Sequence, residues 1–142
     1  MKFLAFNIRA LGFMNFKYLL PGIVWIIVIL AIIAIPGSSI PRTSLFEIPH
    51  FDKLIHFVMF AILSILLGFG FFRQQENSIY FRKRYTFVLV LCVIYGGATE
   101  IIQHLFVAGR SGELWDFAAN TAGSFAGILL FSLLTGKPGK LK

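Results

Sequence analysis

The residues able to do chemistry in this chain are few and sit in three short stretches. Asp52 and His56 are four apart, as are Asp116 and Asn120, while Glu100 and Gln103 are three apart with His104 beside them. Residues at those spacings meet on one side of an α-helix. Lys53 follows Asp52, and Arg110 stands in the glycine-flanked stretch Gly109-Arg110-Ser111-Gly112-Glu113. Glu100, His56 and Asp116 are the types that transfer protons at a reacting group, and they are the candidate catalytic residues. Arg110 and Lys53 are suited to holding phosphate or carboxylate, and Asp52, Gln103 and Asn120 complete the candidate ligand-binding set. Each type also has a structural use. Asp52 and Asp116 can cap helices, Gln103 and Asn120 can hydrogen-bond between helices, and His104 and Glu113 suit a solvated interface.

No metal motif is present, and no cofactor is indicated. His56, Glu100 and Asp116 could ligate a metal only if they converge, and that set is not diagnostic. No phosphatase signature, serine nucleophile elbow or HExxH pair occurs. The lone cysteine, Cys92, lies in an apolar run, so it allows no intramolecular disulfide and reads as inert filler.

These polar groups must be positioned by apolar elements. Four runs stand out, at residues 18–35, 54–72, 85–106 and 117–134, each near the ~20 residues a helix needs to cross ~30 Å of hydrocarbon. Polar or Pro/Gly-containing stretches separate them, and Pro21 falls in the first turn of the first run, where its missing N–H costs nothing. The expected fold is an all-α membrane protein with four transmembrane helices in an antiparallel bundle. An uncleaved first helix fits better than a signal peptide, because Pro36 follows the run rather than a small-residue cleavage site. Residues 1–17 mix Phe and Leu with Lys2, Arg9 and Lys17, the composition of an amphipathic segment at the headgroups. The bundle then occupies 18–136, and 137–142 form a basic tail. The stripe from Gly123 to Gly127 is expected to pack within the bundle against Gly96 and Gly97.

Composition agrees. Hydrophobic residues make up 58% of the chain and charged ones 13%, with a mean hydropathy of +0.84; soluble domains carry about 25% charged residues. The net charge of +7 does not point to nucleic acid, because ten of the thirteen basic residues lie before the first run, between the second and third, or after the fourth. The positive-inside rule therefore predicts cytoplasmic termini, and the surplus anchors anionic headgroups. The polar stretches all fall at the opposite, outward ends of their helices. There Glu100, inside an apolar run, costs a few kcal/mol, of order 3, unless paired or wetted. Together they suggest a polar cavity opening outward.

At this point the residues resemble a specific family. Ser38-Ser39-Ile40-Pro41, Asp52 through Phe57, Tyr95 through Gln103, Gly109 through Asp116 and Asn120-Thr121-Ala122-Gly123 follow the order and spacing of the VanZ-like family, from about Pro21 to Leu134. The N-terminal segment lies outside the resemblance. The resemblance implies a multi-pass protein of the bacterial cytoplasmic (inner) membrane connected with the cell envelope and, in some members, with low-level resistance to glycopeptides such as teicoplanin. The family's characteristic polar positions fall on Asp52, Lys53, His56, Glu100, Gln103, Arg110, Asp116 and Asn120, the residues that spacing selects.

The first functional expectation is that the cavity binds an amphiphilic envelope molecule, such as a lipid-linked glycan, a polyprenyl phosphate or an anionic lipid, with turnover left open. The partners are then membrane lipids and a lipid-linked envelope precursor; an oligomer is allowed but not indicated. The second is a non-enzymatic structural or partner-binding role in which the polar cluster orders the bundle. Transport ranks last, because the other halves of the helices offer no polar path.

Overall fold

The computed structural model describes residues 15–39, 49–73 and 83–135. The amphipathic character expected of residues 1–17 and the tail at 137–142 therefore fall outside the described residues, apart from 15–17. The described chain is helical: α1 spans Leu20–Ile33, α2 Phe51–Phe72, α3 Arg84–Phe106 and α4 Leu114–Thr135, with single turns of 3-10 helix at Phe16–Tyr18 and Gly37–Ser39.

Three of the helices, with 22, 23 and 22 residues, are long and apolar enough to cross a membrane. At 1.5 Å per residue each reaches about 33 Å. The first expected span is shorter, because α1 holds 14 residues, about 21 Å. It opens with Pro21 in its first turn and stops before Pro36, which cannot continue a helix. Helices α2 and α4 each begin three residues before the apolar runs that announced them. Their first turns contain Asp52-Lys53 and Trp115-Asp116, which a hydropathy threshold rejects and ion pairing stabilises.

Consecutive helices run antiparallel. Gly22 and Trp25 of α1 meet Leu67 and Met59 of α2, and Phe60 and Phe71 of α2 meet Tyr95 and Phe87 of α3. The most extensive packing joins the parallel pair α2 and α4; α1 lies against α2 and α3 and does not touch α4 among the described residues.

The α2–α4 contact corrects the expected glycine pairing. A Cβ at Gly123 would collide with the carbonyl of Phe57, and one at Gly127 with the carbonyl of Ala61 and the Ser64 hydroxyl. The glycine stripe therefore packs on α2, not on Gly96 and Gly97 of α3. Those two instead receive Asn120 and Phe117, which lie one turn earlier on α4.

Phe60, Leu63, Ile29, Ile33, Val88 and Cys92 form the buried centre. Two hydrogen bonds tie α1 to it: Trp25 Nε1 donates to the Met59 carbonyl at 2.9 Å, and the Tyr95 hydroxyl donates to the Ile26 carbonyl at 2.8 Å. At the start of α3, Arg84 is 1% exposed rather than solvated. Its guanidinium lies 4.9 Å from the Phe72 ring and 4.8 Å from that of Tyr85, contacts that keep a charged head against aromatic faces.

Candidate functional site

The first turns of α2 and α4, the last turns of α3 and the loop between α3 and α4 meet at one end of the bundle. The site there has two connected parts. In the inner part Asn120, 1% exposed, stands between two partners. Its Nδ2 donates to Glu100 Oε1 at 2.9 Å, and its Oδ1 pairs with His56 Nδ1 at 3.0 Å. The carboxylate fixes these roles. With both Glu100 oxygens accepting, the amide turns its NH2 toward the carboxyl and its oxygen toward the imidazole. His56 then carries its proton on Nδ1, which also lies 3.5 Å from Glu100 Oε1. The second oxygen of Glu100 accepts from the Glu113 backbone N–H at 3.2 Å.

Two glycines make this geometry attainable. Gly96 lets Asn120 approach, since an added Cβ would sit 3.1 Å from the Asn120 Cβ. Gly112 lies so close to the Glu100 carbonyl that any side chain there would strike it. The loop thereby delivers the Glu113 amide onto the Glu100 side chain. At the other end of the same loop Gly109 adopts φ +73, a conformation open to glycine, and the Gly37 N–H donates to the Ala108 carbonyl at 3.1 Å.

The outer part is centred on Lys53. Its ammonium lies 2.9 Å from Asp52 Oδ2, 3.1 Å from Glu113 Oε2 and 3.2 Å from Asp116 Oδ1. It donates to Asp52 and Glu113 and pairs with Asp116 by charge. Their oxygens lie within 4.8 Å of one another, and Lys53 supplies the positive charge between them. Among the described residues this is the acidic group that converges, in place of the His56, Glu100 and Asp116 set considered for a metal.

All eight residues singled out from the sequence are described, and six of them make the two parts: Asp52, Lys53, His56, Glu100, Asp116 and Asn120. Gln103 and Arg110 do not join these pairings. Gln103 is 1% exposed with Nε2 unpartnered, and the Nε of Arg110 is buried and likewise unpartnered among the described residues. Glu113 is exposed, as a solvated interface residue should be, yet its pairings are not legible in the sequence: its side chain meets Lys53 and its backbone N–H meets Glu100, so it touches both parts. The available signal was Gly112, a glycine placed where a loop must approach a helix closely.

Beside Glu100, between α3 and α4, runs a groove of about 510 Å³ bordered by Glu100, His104, Leu105, Glu113, Leu114 and Phe117. Its walls are mainly apolar, with the carboxylates at one side.

A family model described as VanZ/LLP1 matches residues 10–135. The match begins upstream of Pro21, so it takes in part of the N-terminal segment that the motif resemblance left out. Comparison with curated proteins gives no match, and comparison with solved structures gives none.

Proposed function

The chain belongs to the VanZ-like family, and from that premise we propose that it is a bacterial cell-envelope protein that binds an amphiphilic envelope molecule at its outer polar end. On this reading all four helices cross the cytoplasmic membrane, both termini are cytoplasmic, and the site of Glu100, Asn120 and Arg110 faces outward. The observation that carries the reading is the position of Glu100. A carboxylate inside an apolar helix is costly, and this one borders a groove with the shape and apolar walls to take a lipid chain.

Charge distribution refines the roles. Lys53 is engaged by three carboxylates, so it orders them instead of holding a ligand anion. Recognition of phosphate or carboxylate then falls to Arg110, with the Gln103 amide as a further donor. Glu100, His56 and Asp116 are the groups able to move a proton if the bound molecule is processed. A link to teicoplanin tolerance belongs to the same proposal.

One observation favours a second reading. Glu100 already receives two hydrogen bonds and His56 gives one, the pattern of a network that orders a bundle without a ligand. Native mass spectrometry of the gently purified protein separates the two. Binding predicts an envelope lipid retained by the wild type and lost from folded Arg110→Ala and Glu100→Gln. No selective adduct, together with lowered melting of the variants, establishes the structural role instead.

A further inference from the structure

We propose that Lys17, Tyr18 and Arg73, brought together where the turn before α1 crosses the end of α2, bind the phosphate of an anionic phospholipid. The Lys17 ammonium lies 5.0 Å from the Tyr18 ring centroid, and the Arg73 guanidinium carbon lies 5.2 Å from the same centroid. Two like charges are therefore gathered on one aromatic ring. Each gains cation–π attraction from the ring, while the two repel one another. A phosphate bound at this corner relieves the repulsion, with the Tyr18 hydroxyl as a further donor.

The three groups are held in place by packing. A Cβ at Gly70 would lie 2.8 Å from the Tyr18 carbonyl and 2.7 Å from Leu19 Cδ2, so the absence of a side chain lets the turn seat directly on α2. Leu19 is buried there, whereas Phe16 and Leu20 on either side are 63% and 57% exposed. The cations thus sit beside uncovered apolar surface. A free anion would satisfy the charges alone, but a phospholipid satisfies both features.

The described carboxylates do not supply the counter-charge. Asp52, Glu100, Glu113 and Asp116 all gather at the other end of the bundle, about 30 Å away along α2. That separation is several Debye lengths at physiological salt, each about 8 Å. This site is distinct from the polar cluster and does not depend on the function proposed for it.

The test uses the full chain in nanodiscs of equal phosphatidylglycerol and phosphatidylcholine, with the lipids that remain bound read by native mass spectrometry. The wild type should retain one phosphatidylglycerol preferentially. Lys17→Gln and Arg73→Gln should each lower that preference about fivefold, the worth of one basic residue at an anionic surface. Arg73→Lys should restore most of it. Lys83→Gln, which removes an exposed charge at the same end, should leave it unchanged, and millimolar inorganic phosphate should not displace the lipid. A loss in Lys83→Gln equal to that in Arg73→Gln would mean a diffuse positive field and overturn the site. Absence of any preference in the wild type, or displacement by phosphate, would overturn it equally.

Discussion

Asn120 joins the two halves of the inner site, so Asn120→Leu perturbs it most directly. The substitution keeps the number and branching of side-chain heavy atoms and removes two hydrogen bonds, at 2.9 Å to Glu100 and 3.0 Å to His56. In a soluble core, a bond to a charged acceptor contributes about 1.5–3 kcal/mol and a neutral one about 1 kcal/mol. Between membrane helices, measured couplings average only about 0.6 kcal/mol, because the separated helices also find partners. Glu100 and Asn120 are buried within the bundle but lie near the helix ends, where water competes in the separated state. A loss of about 1–3 kcal/mol follows. Unfolding in mixed detergent micelles measures it, and a double-mutant cycle with Glu100→Met isolates the pair. The two losses should fall short of additivity by about 1 kcal/mol, as residues sharing a network do. Strict additivity would refute the argument, because it would mean that the bridge between Asn120 and Glu100 carries no energy.

Other substitutions test the remaining contacts. Gly123→Ala should lower stability by about 1–3 kcal/mol, because the new methyl meets the Phe57 backbone and α2 and α4 must separate. Gly97→Ala should be neutral or stabilising, since its Cβ would rest 3.6 Å from Phe117 and alanine favours the helix by about 1 kcal/mol; thermal melting of the two variants compares them directly. Lys53→Met leaves three carboxylates facing one another, so its melting temperature should fall, and the deficit should shrink in 1 M salt, where screening acts within about 3 Å. A deficit independent of salt would count against the electrostatic account. Replacing Trp25 and Tyr95 together by Phe removes both hydrogen bonds that tie α1 to α2 and α3. Amide exchange should then quicken in α1 while α4 keeps its protection.

The sequence is most legible where local periodicity is enough. Apolar length alone marks α2, α3 and α4, and the four-residue spacings place Asp52 with His56, and Asp116 with Asn120, on one side of their helices. The same reasoning could not separate Asp52 from His56. Both lie on one side of α2, yet one turn of helix puts Asp52 at the exposed rim with Lys53 and His56 in the buried network. Spacing gives direction around the helix axis but not depth within the bundle.

What only the tertiary structure decided concerns partners far apart in the chain. Glu113 reaches Lys53 across sixty positions, and its backbone reaches Glu100 only because Gly112 allows the loop to lie on α3. The glycine stripe of α4 announced close packing, but Gly123 and Gly127 met α2 instead of the glycines of α3, since a small-residue stripe specifies distance and not identity. Arg84, one of the basic residues between the second and third apolar runs, is buried between Phe72 and Tyr85. Composition, run lengths and charge placement determined that this chain is a helical membrane protein with its polar groups at one end. Which of those groups meet depended on how the helices turn toward one another, and that is set by packing of faces that each look uniformly apolar when read alone.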